Sequence, residues 1–155
     1  KDQPLFGVDM AEVDWVISDE ETLELGDQLM TFYITPGHTE GVVSMEFTVR
    51  DGDEEYRAVV FGGGGADSND FWRNQSMLGN IHRFQALAEE SPPFQVRFAG
   101  HTVGGGAAPG APFFERRDAL LDRRRGGPHP FVDSPDVFKD SLEAAERNAE
   151  RAILR

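Results

Sequence analysis

The chain contains no cysteine, and its four histidines stand far apart, at positions 38, 82, 101 and 129 of 155 residues. Without cysteine there is neither a disulfide nor a thiolate metal site, so a bound metal must take its donors from His, Asp or Glu. Basic residues are also scarce: 15 Lys and Arg face 28 Asp and Glu, a formal net charge of −13. Such a surface releases few counterions from a nucleic-acid backbone and is repelled by anionic lipid, so neither nucleic acid nor membrane is expected as a partner. No apolar run approaches the length that crosses a bilayer. What remains is ample for a core: 39% apolar residues with 12 Phe, in a length that suits one domain or part of a larger one.

The most informative stretch runs from Thr31 to Phe47. Thr31 to Thr35 is β-branched and aromatic, as strands prefer. Pro36-Gly37 stops it, Gly41 closes the turn, and Val42 to Val49 alternates as a second strand. His38 sits at the tip. A neutral imidazole held on a strand-end turn suits a metal ligand, and it equally suits a turn histidine that caps local backbone.

Upstream, Trp15 to Ile17 reads as a short strand and Thr22 to Leu25 as another, joined by Gly26-Asp27 to a strand over Gln28 to Thr35. Downstream, Asp51-Gly52 marks a hairpin to Tyr56–Phe61, and the glycine run Gly62 to Gly65 opens a loop that ends at Asp70. A phosphate-binding loop would need Gly-Lys-Ser/Thr there, and no basic residue follows until Arg73. Phe71 to Ser76 reads as a polar-aromatic loop. Leu78, Ile81, Phe84, Leu87 and Ala88 recur at helical spacing, predicting a helix over Met77 to Glu90 with His82 on its surface or boundary. Ser91-Pro92-Pro93 ends it.

Phe94 to Ala99 alternates as a strand and delivers His101 after Gly100. Beyond it lies an irregular glycine-rich loop, then a short amphipathic helix over Phe113 to Arg125, whose Arg123-Arg124-Arg125 cluster is expected to pair with local acids. His129, between two prolines, reads as a loop residue. Ser134 as N-cap, Pro135 at the first helical position and Asp136 at the positive dipole end start a final helix. Its stripe of Phe138, Leu142, Ala145, Ala149 and Ile153 is expected to cover one face of the sheet.

Thr35-Pro36-Gly37-His38-Thr39-Glu40-Gly41 resembles the Thr-Pro-Gly-His-Thr-x-Gly motif of the metallo-β-lactamase superfamily, and the order of histidine turn, strand, loop, helix, strand and His101 is similar too. Asp118 to Phe131 resembles the tail of lactamases of the third subclass. The resemblance implies an α/β (α+β) fold: the C-terminal half of an αββα sandwich, a mixed sheet flanked by helices, with residues 1 to 155 as a single partial domain. It implies that His38 is the third histidine on a first zinc and that His101 is a ligand of a second. The glycine run stands where the family carries a bridging Asp, or a Ser in the third subclass, with Asp67 and Ser68 a few residues on as pocket-lining, substrate-binding candidates.

The family's His-x-His-x-Asp-His loop is absent from this sequence and would, by the same analogy, lie upstream of Lys1. Catalytic zinc needs about three protein ligands and an open position. On this reading the chain alone is inactive. The complete domain would be a hydrolase of β-lactam or related amide or ester bonds, with one or two zinc ions, a small-molecule substrate and a periplasmic or secreted location. The half-domain would associate through faces the other half should cover. The alternative is a metal-free binding or interaction domain on the same scaffold, which the glycine run favours.

Overall fold

The computed structural model describes residues 12–62, 65, 69–98, 113–123 and 127–154. Among them five strands form one sheet in chain order: β1 (Thr22–Leu25), β2 (Gln28–Ile34), β3 (Val43–Asp51), β4 (Glu54–Val60) and β5 (Phe94–Phe98). The first four pair antiparallel as a meander, and β5 joins β4 in parallel. A parallel neighbour needs a crossover, and α1 (Phe71–Ala88) provides it. The remaining helices are α2 (Phe113–Leu121) and α3 (Pro135–Ile153). This is the mixed, helix-flanked α+β sheet expected from the resemblance.

The registers sort the side chains by face. Tyr33 opposes Ser44, and Glu46 opposes Val59, so these residues share one face with Arg57 and Phe61. On that face Tyr33 and Val59 meet Met77, Ile81, Phe84 and Ala88 of α1 and Phe138, Leu142 and Ala149 of α3. The α1 residues fall at the spacing of one helical stripe, which is why they enter one core. Phe84 is wedged between the Tyr33 and Phe61 rings at centroid distances of 5.3 and 4.9 Å. Burial, with the Glu46 carboxylate nearby, pushes the Tyr33 phenol well above its ordinary range.

Arg57 closes the far end of this core. Its guanidinium bonds Glu46 at 2.6 Å, donates to the Leu87 carbonyl in the last turn of α1, and lies 4.0 Å over the Phe94 ring. It thereby adds a side-chain partner to a helix-end carbonyl that also accepts from the Glu90 N–H at 3.3 Å.

The opposite face is apolar as well. Met30, Phe32 and Ile34 face Phe47, Met45 and Val43, with Val60 and Phe98 continuing the row. These side chains are only partly covered. Phe98 keeps 37% of its surface exposed, and Trp15 leans on Phe32 edge-on at 5.7 Å.

Three expectations need correction. Trp15 to Ile17 is not a strand: both flanks of β2 are already taken by β1 and β3, and Val16 is 79% exposed. Phe71 to Ser76 is not a loop but the first turns of α1. Asp70 is its N-cap and accepts from the Arg73 backbone N–H at 3.0 Å. Phe71 and Trp72 stay exposed, so the apolar periodicity starts only later. The α2 helix ends at Leu121 rather than Arg125, and Arg123 pairs with an acid, Asp51, at 2.7 Å, and with the Gly127 carbonyl. Residues 124 and 125 lie outside the described residues. The α3 start is as expected, with Ser134 capping and Pro135 first, though the helix lies against α1 and β5 rather than across the whole sheet.

Candidate metal-ligand rim

Antiparallel pairing brings the end of β2, the start of β3 and the end of β4 to one edge, and the parallel β4–β5 pair brings the end of β5 there too. That rim is organised from below by a buried polar node. Thr35 Oγ1 and Ser44 Oγ lie 2.8 Å apart, both fully buried, and Ser44 Oγ accepts from the Gly62 N–H at 3.0 Å. Three strand ends are thus tied by two hydroxyls. Ser44→Ala is expected to cost about 1–3 kcal/mol in urea denaturation, since it strands the Gly62 N–H and the Thr35 hydroxyl. A loss below about 0.5 kcal/mol would show that water replaces the hydroxyl there. Alternation alone marks Thr35 and Ser44 as polar residues on an inward face, a signal the sequence reading left unused.

Above this node the His38 turn leaves β2. Thr35 N–H donates to the Val42 carbonyl at 2.9 Å and Gly37 N–H to the Thr39 carbonyl at 3.1 Å, which closes the turn. Gly37 is buried with φ +154° and lies directly on α1, where a Cβ would come within 2.9 Å of Met77 Cβ. His38 itself is exposed. Its Nδ1 is 3.2 Å from where a Cβ of Gly65 would stand, so Gly65 lies beside the imidazole. A side chain at Gly65, whose φ is +97°, would be strained and would crowd the ring.

An acidic strut steadies the end of β2. Asp19 accepts from the Ile34 N–H at 2.9 Å and pairs with Arg83 of α1 at 3.0 Å. The hydrogen bond from Arg83 holds the Asp19 carboxyl below its ordinary range. Arg83 also lies 4.8 Å over the Tyr33 ring.

The other expected site residues fare differently. His101, Asp67 and Ser68 lie outside the described residues. His82 pairs with Glu146 of α3 at 2.9 Å on the α1 surface, and His129 Nδ1 accepts from the Phe131 N–H at 3.2 Å, so both have local structural roles. The side chains that the sequence reading missed are those of α1 which reach the turn. Arg73 donates from Nε to the Gly37 carbonyl at 3.0 Å and from a terminal nitrogen to the His38 carbonyl, while Asn80 donates to the Pro36 carbonyl at 2.6 Å. Asp70 as an N-cap before Phe71 was the available signal.

For zinc, the donor chemistry of His38 fits: an exposed imidazole on a backbone fixed from two sides. Among the described residues no group of three His, Asp or Glu side chains converges to hold a metal. At this rim the described histidines offer one imidazole, that of His38.

The fold and its rim define a class: this chain has the fold of a metallo-β-lactamase half, a mixed five-stranded sheet with helices packed on one face. Solved structures of subclass B3 enzymes match it over nearly all its length. The chain is similar to the native FEZ-1 metallo-β-lactamase from Legionella gormanii, with 23% identity, 91% of this chain and 51% of that chain covered, and a TM-score of 0.70. It is similar to the subclass B3 enzyme BJP-1 of Bradyrhizobium japonicum, with 19% identity, 93% and 52% covered, and a TM-score of 0.65. The class B3 di-zinc enzyme LRA-12 from an Alaskan soil metagenome gives 20% identity, 90% and 50% covered, and 0.60. The chain thus spans about half the length of these structures. No family profile matches the sequence, and no curated protein matches it.

Proposed function

We propose that this chain is the C-terminal half of a zinc-dependent hydrolase that cleaves a β-lactam or related amide or ester bond, and that it carries only part of the site. One observation supports the reading above others: His38 stands at the strand-end rim of a sheet whose fold is that of subclass B3 metallo-β-lactamases, on a turn braced by α1. His101, three residues past the end of β5, is the proposed partner ligand, and Asp67 and Ser68 are the proposed substrate-side groups.

When bound, zinc would supply Lewis acidity and a water whose pKa is lowered towards ~7. The chain's own part is to present His38, to hold the rim together through Thr35 and Ser44, and to flank the substrate with the loop after β4. The small-molecule substrate and a periplasmic or secreted location belong to the same proposal, and cell fractionation checks the latter. No helix among the described residues is long and apolar enough to cross a membrane. The half-covered sheet face of Phe32, Met45, Phe47 and Phe98 is where association with the rest of such a domain is proposed.

The second reading, a metal-free binding domain on the same scaffold, is favoured by the glycines that stand where the family has its bridging ligand. Zinc titration separates the two. In the full-length protein that contains this segment, His38→Ala and His101→Ala are each expected to lower zinc affinity at least about tenfold, as removal of a ligand should. Unchanged affinity and stoichiometry in both variants would leave the metal-free reading.

A further inference from the structure

We propose that Arg73, assisted by Asn80, is the positioning residue for His38, fixing the direction of the imidazole by gripping the turn's main chain. The inference rests on His38 as a metal ligand and goes beyond it by naming what orients that ligand. Three successive carbonyls, those of Pro36, Gly37 and His38, accept hydrogen bonds from α1. The donors, Arg73 and Asn80, stand two turns apart on a single helical stripe, and Met77, about one turn from each, packs on Gly37. The turn therefore rests on the helix at three points.

The His38 carbonyl lies at the surface, where water could satisfy it without ordering anything. A planar guanidinium that spans two consecutive carbonyls does more: it fixes the peptide planes on both sides of His38 Cα. That in turn sets the Cα–Cβ direction and leaves the imidazole only its two side-chain torsions. On one side the Gly65 backbone then bounds the ring. A ligand ordered before the metal arrives loses less entropy on binding, and this is where affinity is gained. Lysine, with one compact ammonium, cannot span both carbonyls. Arg73→Lys should therefore behave as Arg73→Ala does.

The test uses the full-length protein with labelled histidine, and reads two quantities: zinc affinity by titration, and the His38 ring signal by NMR without metal, assigned through His38→Ala. Arg73→Ala and Arg73→Lys are expected to weaken zinc binding about tenfold, and to move and broaden the His38 ring signal, while thermal unfolding shifts little. In a His38→Ala background, Arg73→Ala should cause no further loss. A role confined to the stability of α1 predicts the opposite: a lowered unfolding temperature, an undisturbed ring signal and an effect that persists without His38. That result overturns the inference. Should His38→Ala leave zinc affinity untouched, the metal reading fails and the positioning role for a ligand falls with it. A zinc effect of His38→Ala with none from Arg73 overturns the positioning role alone. If Arg73→Ala fails to fold, Asn80→Ala, which removes one grip of the turn, reads the same two quantities.

Discussion

Gly37→Ala is expected to destabilise the protein by about 2–6 kcal/mol and to displace His38 in the same step. Two costs add. The backbone at Gly37 has φ +154°, and a side chain there carries strain of about 1–3 kcal/mol. The new methyl would also stand 2.9 Å from Met77 Cβ and 3.1 Å from Met77 Cα. The latter is helix backbone, which cannot swing aside as a flexible side chain would, so overpacking contributes about 1–3 kcal/mol more. The turn can relieve the clash only by lifting off α1, which breaks the grip of Arg73 and Asn80 on its carbonyls. Urea denaturation and zinc titration of the same variant measure both consequences. Gly41→Ala is the control: nothing lies within 4 Å of its added Cβ, and its effect should stay within about 0.5 kcal/mol. Equal effects at the two glycines would show that the turn does not rest on the helix.

Phe84→Ala should cost about 3–5 kcal/mol, the range for a fully buried phenylalanine. Phe84 is the residue through which α1 meets the sheet. Its ring touches Tyr33 of β2 and Phe61 just past β4, two strands that do not pair with each other. Removing it leaves a cavity that neighbouring strands cannot close without giving up their registers. Phe84→Leu keeps most of the volume and should lose less than about 1.5–2 kcal/mol. Denaturant midpoints give the difference directly. If both variants lost the same small amount, the aromatic contacts would be incidental and the core would lie elsewhere.

Most of the sheet was legible from the sequence because its signals are local. Alternation or β-rich composition marked the four strands from Thr22 to Val60 to within two residues at each end, Asp51-Gly52 marked a hairpin, and Ser134-Pro135 marked a helix start. The failures share one cause. Trp15 to Ile17 has a strand's composition but pairs with none of the five strands, and that is a question of partners, not of composition. The first turns of α1 expose Phe71 and Trp72, so a reading that waits for apolar periodicity starts the helix too late.

For the candidate site the division is sharper. The His38 turn could be recognised from seven consecutive residues, since Pro, Gly and their neighbours dictate a turn by their own backbone restrictions. That Arg73 and Asn80 hold it could not, because those contacts join residues 35 to 44 positions apart. The sequence by itself determined which imidazole stands on a turn, that no thiolate donor exists, and the order of strands and helix along the chain. Tertiary structure alone decided which face of α1 meets that turn, and that two hydroxyls tie its base. Backbone preferences act between neighbours, whereas a hydrogen bond between helix and turn exists only after the chain has packed.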